Sequence, residues 1–258
     1  MFKRYIFLVL SLFLFFGCSQ KKEKWVFVLA GQSNMAGRGI VESQDTIIDP
    51  TVFAVNKEMK LEIAKEPLHF YEPSLTGLDC GLSFGKELRS QLSDNIEIVL
   101  VPCAVGGSSI DQWVGDSLHR GVKLYSNFKK RMAYGKKLGT IKGVLWHQGE
   151  SDAHAKKLPL YKDQLEKLFK NFRKDCANDN LTILAGELGG YAFPEEKNAN
   201  WKALNSILYK RAETDDNLFI VSTRGLKSNS DKVHFNSESQ RELGKRFAKQ
   251  YLKIINID

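Results

Sequence analysis

A serine, a histidine and an aspartate in two distant segments have the side chains that nucleophilic catalysis requires. Ser33 lies in the segment GQSN, directly after the apolar run Trp25–Ala30, while Asp231 and His234 are three residues apart near the other end of the chain. A hydroxyl is a weak nucleophile until a base removes its proton, and histidine is the usual base. A carboxylate on the same loop can orient that histidine. These residues predict acyl transfer, although each alone is also typical of a helix cap or a surface turn.

A tetrahedral acyl-transfer intermediate also needs hydrogen-bond donors aimed at its oxyanion. Gly106 and Gly107 can present backbone N–H groups in a turn that no side chain obstructs, and Gln148 can supply a side-chain amide. The backbone N–H of Ser33 is the third candidate. The glycines are equally compatible with an ordinary loop, and Gln148 with a structural hydrogen bond.

The elements that must position these groups follow an alternating pattern of short β-branched runs and longer amphipathic stretches. The predicted strands are Trp25–Ala30, Val52–Val55, Ile96–Val101, Ile141–Trp146, Leu181–Ala185 and Leu218–Ser222. The predicted helices are Ser83–Leu92, Leu124–Lys137, Leu158–Asp175, Trp201–Ala212 and Ser237–Lys253. This alternation is typical of a doubly wound, mostly parallel α/β sheet, whose ligand crevice lies beyond the carboxyl ends of the strands. The polar segments all follow predicted strands, so we expect them to converge on one pocket.

Four ordered segments, GQSNMAGRG, PCAVGGSSI, WHQGESD and DKVHF, resemble the SGNH-hydrolase superfamily. Within it they are similar to carbohydrate esterase family six and to the sialate O-acetylesterase-like group, which includes acetylxylan esterase-like proteins. The resemblance implies a flavodoxin-like three-layer α/β/α sandwich, the SGNH hydrolase fold. It also implies removal of O-acetyl groups from acetylated xylan, other glycans or O-acetylated sialic acid, without a metal or other cofactor.

The same resemblance implies a role for individual residues. Ser33 is expected to be the nucleophile, His234 the base and Asp231 its partner. The oxyanion hole is expected to comprise Ser33, Gly107 (with Gly106 as the alternative) and Gln148, which stands where the wider superfamily has asparagine. The remaining polar residues of the blocks are expected to position these groups without touching the substrate: Glu150, Gln32 and Asn34.

The N-terminus has the pattern of an export signal. Residues 5–16 are apolar except for Ser11, basic residues precede them, and Cys18 follows Gly17. The stretch is shorter than the roughly 20 residues that span a bilayer, and the Gly-Cys pair resembles a bacterial lipobox. We expect a signal peptide over 1–17, lipidation of Cys18, a short tether over 18–24 and the esterase domain over 25–258. The alternative is a cleaved signal with an incidental cysteine, and the membrane face, periplasmic or cell-surface, stays open.

Charge says little about partners. The 258-residue chain has net charge +8, which becomes 8 − 2 = +6 without Lys3 and Arg4. No aromatic-interleaved basic motif accompanies the lysines, so nucleic acid is not expected, and the run Lys129–Arg131 predicts a solvated helix face. We expect a monomer that acts on an acetylated carbohydrate and is held at the membrane by its lipid.

Several other residues leave alternatives open. His147, Asp152 and His154 fit no standard zinc spacing, so no metal is expected. Cys80 and Cys103 form a disulfide or remain two thiols. Four aromatic residues either stack on sugars or pack in the core: Trp113, Tyr191, Phe193 and Trp201. The alternative functions are a glycan-binding surface lipoprotein with little catalytic activity, or an SGNH lipase or thioesterase that acts on another acyl group.

Overall fold

The computed structural model describes residues 22–256. Its strands are β1 (Glu23–Gly31), β2 (Val52–Val55), β3 (Leu61–Ile63), β4 (Ile96–Pro102), β5 (Leu118–His119), β6 (Val122–Lys123), β7 (Thr140–His147), β8 (Thr182–Gly186) and β9 (Leu218–Val221). Its helices are α1 (Ser33–Ala36), α2 (Gly81–Ser90), α3 (Ile110–Val114), α4 (Leu124–Leu138), α5 (Leu158–Cys176), α6 (Glu195–Ala212) and α7 (Ser237–Ile254), with a 3-10 helix at Ser43–Thr46.

The central sheet has β1 in its middle. Its strand order is β3-β2-β4-β1-β7-β8-β9, and every neighbouring pair is parallel except β2 with β3. β1 lies between β4 and β7. The loops that leave the carboxyl ends of these three strands therefore begin side by side at one edge of the sheet and then separate. That edge is therefore where a crevice is expected.

The strands bury side chains on both faces, as a parallel sheet covered by helices requires. In β1, Val26, Val28 and Ala30 contribute to one buried cluster with α4, α5 and α6, while Phe27 and Leu29 contribute to another with α2 and α7. The helices therefore form two layers around the sheet. The predicted mostly parallel, three-layer α/β/α architecture is confirmed.

The differences from the predicted elements lie at ends and in short pieces. β1 begins at Glu23, so the predicted tether over 18–24 overlaps it by two residues, and α6 begins at Glu195, before the predicted Trp201. The pattern did not predict β3, β5, β6, α1 or α3, each of five residues or fewer. Such pieces are too short to show a hydrophobic period.

Cys80 and Cys103 lie on opposite faces of the sheet. Cys80 belongs to the cluster with α2 and α7, and Cys103 to the cluster with α4 and α5. Both are buried free thiols, as is Cys176. Of the two alternatives, the structure has the separate thiols, because the sheet stands between the two side chains.

The basic run on α4 does not share one environment. Lys129 pairs with Asp175 at 3.4 Å, whereas Arg131 is buried. The prediction of a solvated face is therefore wrong for Arg131, because this position of α4 packs toward the sheet.

The signal peptide over 1–17, Cys18 and most of the tether lie outside the described residues, so these stay predictions. Within residues 22–256, none of the helices combines the length and the apolar character that a bilayer crossing requires.

Candidate active site

Ser33, His234 and Asp231 form one hydrogen-bonded chain. His234 Nε2 lies 2.9 Å from Ser33 Oγ, and His234 Nδ1 lies 2.7 Å from Asp231 Oδ2. A proton on Nδ1 donates to the carboxylate, which leaves Nε2 free to accept the serine proton. The side chains that the sequence places about two hundred residues apart are thus brought together.

Asp231 is held as a carboxylate by its own loop. Its Oδ1 accepts hydrogen bonds from the backbone N–H groups of Val233 at 2.8 Å and His234 at 2.9 Å. Partial burial favours the neutral acid, but hydrogen bonds from the backbone and ring of His234 outweigh it and keep the pKa of Asp231 below its usual value. A charged Asp231 is suited to stabilise an imidazolium at His234.

The position of Ser33 follows from a sharp turn at the end of β1. Gly31 has φ +138°, and a Cβ there would lie 2.0 Å from the carbonyl oxygen of His147 in the neighbouring β7. Gln32 N–H donates to that same oxygen at 2.9 Å. The turn places Ser33 as the first residue of α1, where its backbone N–H has no partner within the helix.

The two candidate glycines of the segment PCAVGGSSI differ in whether their backbone N–H groups are already hydrogen-bonded. Gly106 N–H donates to the buried Glu72 carboxylate at 2.6 Å, so it is already used. Gly107 lies in the left-handed region at φ +73° and lines the pocket with Ser33. Within residues 22–256 its N–H has no acceptor. The geometry favours Gly107 over the alternative Gly106.

Gln148, the predicted side-chain donor of the oxyanion hole, is fully buried and is not among the residues that line the pocket. Its fully buried Nε2 donates to Asp152 Oδ2 at 2.5 Å, Gln32 Oε1 at 3.0 Å and the Ser108 carbonyl at 3.1 Å. Its Oε1 accepts from the Tyr161 hydroxyl at 3.1 Å. In this arrangement the side-chain nitrogen and oxygen of Gln148 are both occupied by partners in the protein interior.

The amide that does reach the pocket belongs to Gln32. Its Oε1 accepts from Gln148 and, at 3.3 Å each, from the backbone N–H groups of Gly149 and Ser151. Backbone N–H groups can only donate, so the oxygen must face them and the Nε2 must face the pocket. Within the described residues this Nε2 has no acceptor, and Gln32, although only 2% exposed, is one of the residues that line the pocket. The geometry therefore supports Gln32 where the sequence suggested Gln148.

Asn34 fixes the loop that carries His234. Its Nδ2 donates to the carbonyl of Val233 at 3.1 Å, and its Oδ1 accepts from the N–H of Phe235 at 3.0 Å. The same Nδ2 donates to Glu150 Oε1 at 2.5 Å. Asn34 thus holds both peptide groups that flank the histidine, and Glu150 orients Asn34.

The pocket over the side chains of Ser33, His234 and Asp231 has a volume of about 520 Å³, and most of the residues that line it are polar or charged. Apart from the residues already described, it is lined by Arg38, Leu75, Arg120, Lys197 and Asn229. Among the described lining residues, the side chains of Leu75 and Val233 are aliphatic. A polar, open pocket of this size suits a hydroxyl-rich ligand.

Two arginines of the pocket wall, Arg38 and Arg120, and the buried Glu72 that pairs with them were not predicted. Arg38 donates to both Glu72 oxygens at 3.0 Å, and Arg120 also pairs with Glu72. Glu72 thereby ties the Gly106 turn to both arginines. Nothing in the segment YEPS distinguishes this glutamate from a surface residue, whereas Arg38 lies inside the GQSNMAGRG block.

The other residues left open have structural surroundings. His147 Nε2 donates to the Glu187 carbonyl at 2.9 Å, and Asp152 accepts from the N–H of Ile110 at 2.9 Å. Within residues 22–256, His, Cys, Asp and Glu side chains form no group of three that could hold a metal ion. Trp113 and Trp201 are buried in the core and cannot stack on a sugar, and Tyr191 packs on Trp201, whereas Phe193 is exposed.

A family model described as "Carbohydrate esterase, sialic acid-specific acetylesterase" matches residues 23–253. The chain belongs to this family. It is 32% identical over 249 residues to the probable carbohydrate esterase At4g34215 of Arabidopsis thaliana, which covers 88% of this chain and 90% of the plant protein. The predicted kinship with SGNH-like carbohydrate esterases is confirmed, and the protein is a carboxylic ester hydrolase of the carbohydrate acetylesterase type.

Solved structures agree with this fold. The structure of the Arabidopsis protein superposes on this esterase with a TM-score of 0.76 at 28% identity, covering 91% of this chain and 99% of the other. NanS gives 0.71 at 16% identity, with 92% and 99% covered. A lipase/acylhydrolase from Enterococcus faecalis gives 0.52 at 11% identity, with 90% and 96% covered. The last two share the fold.

Proposed function

We propose that the esterase removes O-acetyl groups from carbohydrates by a two-step acyl transfer through Ser33. The observation that carries the proposal is the continuous hydrogen-bonded chain from Asp231 through His234 to Ser33, at the floor of a polar pocket. This is the arrangement that activates a serine hydroxyl.

In the first step Ser33 Oγ attacks the acetyl carbonyl carbon while His234 Nε2 takes the hydroxyl proton. The oxyanion accepts hydrogen bonds from the backbone N–H groups of Ser33 and Gly107 and from Gln32 Nε2. His234 then gives its proton to the departing sugar oxygen as the carbon–oxygen bond breaks, leaving acetyl-Ser33. In the second step His234 removes a proton from water, which attacks the acyl carbon, and acetate leaves as Ser33 regains its proton.

The pocket lining supports a short acyl group on a sugar. Leu75 and Val233 are the aliphatic side chains among the described residues of the lining, so a long alkyl chain would bury only part of its length against them. The alternative of a lipase or thioesterase is tested directly. We expect acetate release from acetylated xylan or O-acetylated sialic acid at far higher kcat/KM than hydrolysis of a long-chain ester, and the opposite order would overturn the proposal.

The chemistry itself is tested by hydrolysis of an aryl acetate by residues 22–258 and by a Ser33→Ala variant. We expect the variant to lose about 10⁴-fold or more in kcat, because the nucleophile is absent. Ser206→Ala is the control, since Ser206 is exposed on α6 and its hydroxyl donates only to the Lys202 carbonyl of the same helix, and it should keep about the parent rate. Equal rates for the parent and Ser33→Ala would instead support a glycan-binding protein without this chemistry.

We also propose that the esterase acts as a monomeric, exported bacterial lipoprotein anchored through Cys18. The support is the N-terminal pattern: basic residues, a short apolar stretch and a cysteine after Gly17. Such an anchor would hold the enzyme at a membrane and leave its acetylated carbohydrate outside the cytoplasm.

A further inference from the structure

A second cavity lies beside the active-site pocket and shares Arg120 with it. We call it the basic cleft; its volume is about 540 Å³. Its cationic side chains are Lys57, Arg120, Lys123, Lys130 and Arg131, and none of the aspartates and glutamates among residues 22–256 lines it. The catalytic steps described above use none of these residues. A cavity with charge of one sign raises the local concentration of ligands of the opposite charge.

The start of α4 forms one wall of the cleft by its helical spacing. Lys123, Ser126, Asn127 and Lys130 follow at intervals of three and four residues, so their side chains share one face. Within residues 22–256, neither lysine forms an ion pair with a carboxylate, unlike the neighbouring Lys129. Asp116 contacts this wall through Ser126, whose N–H and hydroxyl donate to it at 2.8 and 2.5 Å. Neither lysine forms an ion pair with it, so both ammonium groups can still contact a ligand.

Arg131 forms the base of the cleft and is only 2% exposed. Its guanidinium donates to the backbone carbonyls of Val55 and Asn56 and stacks on the Phe70 ring at 4.8 Å. In the described part of the chain no carboxylate pairs with it, and its Nε has no acceptor. A buried cation without a counter-charge is costly, and an anionic ligand would offset that cost.

Two aromatic rings complete the wall. Phe70 and Tyr71 are partly buried, and the Tyr71 hydroxyl is held by Asn127 at 2.7 Å and by the Pro102 carbonyl at 3.2 Å. Both rings line the cleft, so apolar aromatic surface adjoins its cationic groups, a pairing that suits the apolar and polar sides of a sugar. Aromatic side chains beside cations, of which Lys123, Lys130 and Arg131 form no ion pair within residues 22–256, point to a sugar acid rather than a simple ion.

The position of Arg120 connects the two cavities. It occupies the turn between β5 and β6, at φ +48° before Gly121 at +77°, and its guanidinium lies 3.3 Å from where a Cβ of Gly107 would be. A ligand in the basic cleft would therefore lie close to the glycine turn proposed for the oxyanion.

We propose that the basic cleft binds a carboxylate-bearing sugar residue of the same glycan whose acetyl group reaches Ser33. This rests on the proposed deacetylation and extends it to anionic oligosaccharides. The basic cleft then selects which glycan binds, while the catalytic pocket selects which ester bond is cleaved.

The test is a charge-reversed variant, Lys123→Glu with Lys130→Glu, assayed on two acetylated oligosaccharides, one of xylose and one of galacturonic acid. We expect KM for the galacturonic acid substrate to rise about tenfold, because two favourable charges become unfavourable, and KM for the neutral one to stay within about twofold. The control is Lys245→Glu with Lys249→Glu, two exposed lysines on α7, on the other side of the sheet. Equal changes on both substrates, or none on the anionic one, would overturn the proposal.

A binding measurement without an ester tests the basic cleft independently of the proposed deacetylation. Calorimetry with unacetylated galacturonic acid oligomers should detect an interaction that the Lys123→Glu, Lys130→Glu variant loses and that about 0.5 M salt weakens. If the aryl acetate assay fails while this binding persists, the proposed function fails and the basic cleft stands. Equal binding of short single-stranded DNA would contradict recognition of a sugar acid.

Discussion

The side chains of Gln32 and Gln148 are hydrogen-bonded to each other near Ser33, and their different surroundings suit them to different roles. Gln148 uses its amide on Asp152, Ser108 and Gln32, whereas Gln32 directs its nitrogen toward the pocket. At the scale of single residues, one polar side chain can act on a site only by orienting another. Gln148 thus orients the Gln32 oxygen and leaves the Gln32 nitrogen for an oxyanion.

Replacing each glutamine by glutamate distinguishes these roles. Gln32→Glu keeps an oxygen for its three donors but aims a second, negatively charged oxygen at the site, so we expect kcat to fall about 10²-fold or more with little change in Tm. Gln148→Glu places a carboxylate against Asp152, so its main effect should be a lower Tm. Aryl acetate kinetics and thermal melts of both variants check this. A full kcat for Gln32→Glu would exclude Gln32 as a donor.

The three proposed catalytic residues were easier to predict from the sequence than the residues around them. Ser33, Asp231 and His234 lie in motifs whose order along the chain is enough to predict a shared pocket, and the structure brings them within hydrogen-bond distance. The choice between Gly106 and Gly107 depends on Glu72, which no motif marks. Side-chain orientation and distant partners are properties of packing, which spacing does not encode.

At the scale of elements, the histidine loop depends on a hydrogen-bond bridge from α1. Asn34→Asp would keep the acceptor for Phe235 N–H but set a carboxylate against Glu150 and the Val233 carbonyl. We expect kcat to fall about 10- to 100-fold as His234 loses its fixed position. Adding Glu150→Gln removes the charge repulsion and should recover part of the loss. No recovery in kinetic assays of the double variant would contradict this coupling.

The turn from β1 into α1 tolerates only glycine at its first position. Gly31→Ala would drive a Cβ into the His147 carbonyl at a positive φ, so we expect at least about 2 kcal/mol loss of unfolding free energy. Gly190→Ala is the matched control, since a Cβ there meets nothing within 4 Å. Urea unfolding of the two variants measures the difference, and equal stability would show that β1 and β7 can separate at this point.

Long elements were predictable from periodicity, and short ones were not. α5 has buried residues at Leu165, Leu168, Phe169 and Phe172, a helical spacing that is visible in the sequence. The hairpin of β5 and β6 has two residues in each strand and carries Arg120 to the pocket wall. Its formation depends on positive φ values in the turn between the strands rather than on a hydrophobic pattern.

At the scale of the whole molecule, net charge is less informative than its distribution. The surplus of +8 over the full chain indicated no partner by itself. Part of it is concentrated in the basic cleft, while other basic residues pair locally, as Lys129 does with Asp175. A sum over the sequence cannot distinguish these two cases.

The proposed anchor gives a prediction for the cell. Cys18→Ser should move the protein from the membrane fraction to the soluble fraction, because no lipid is attached, while aryl acetate activity per molecule stays unchanged. Fractionation with immunodetection measures this, and Gly17→Ala, which keeps the cysteine, is the control. Membrane retention of Cys18→Ser would exclude lipidation as the anchor.

β1 starts five residues after Cys18 and ends two residues before Ser33. Its nine residues span about 30 Å, so a lipid on Cys18 would hold the amino edge of the sheet near the bilayer and turn the catalytic edge away from it. Esters in the same membrane would then lie behind the enzyme, and extended polymers in front of it. The length of β1 would then set how far from the membrane the enzyme can deacetylate the surrounding glycan.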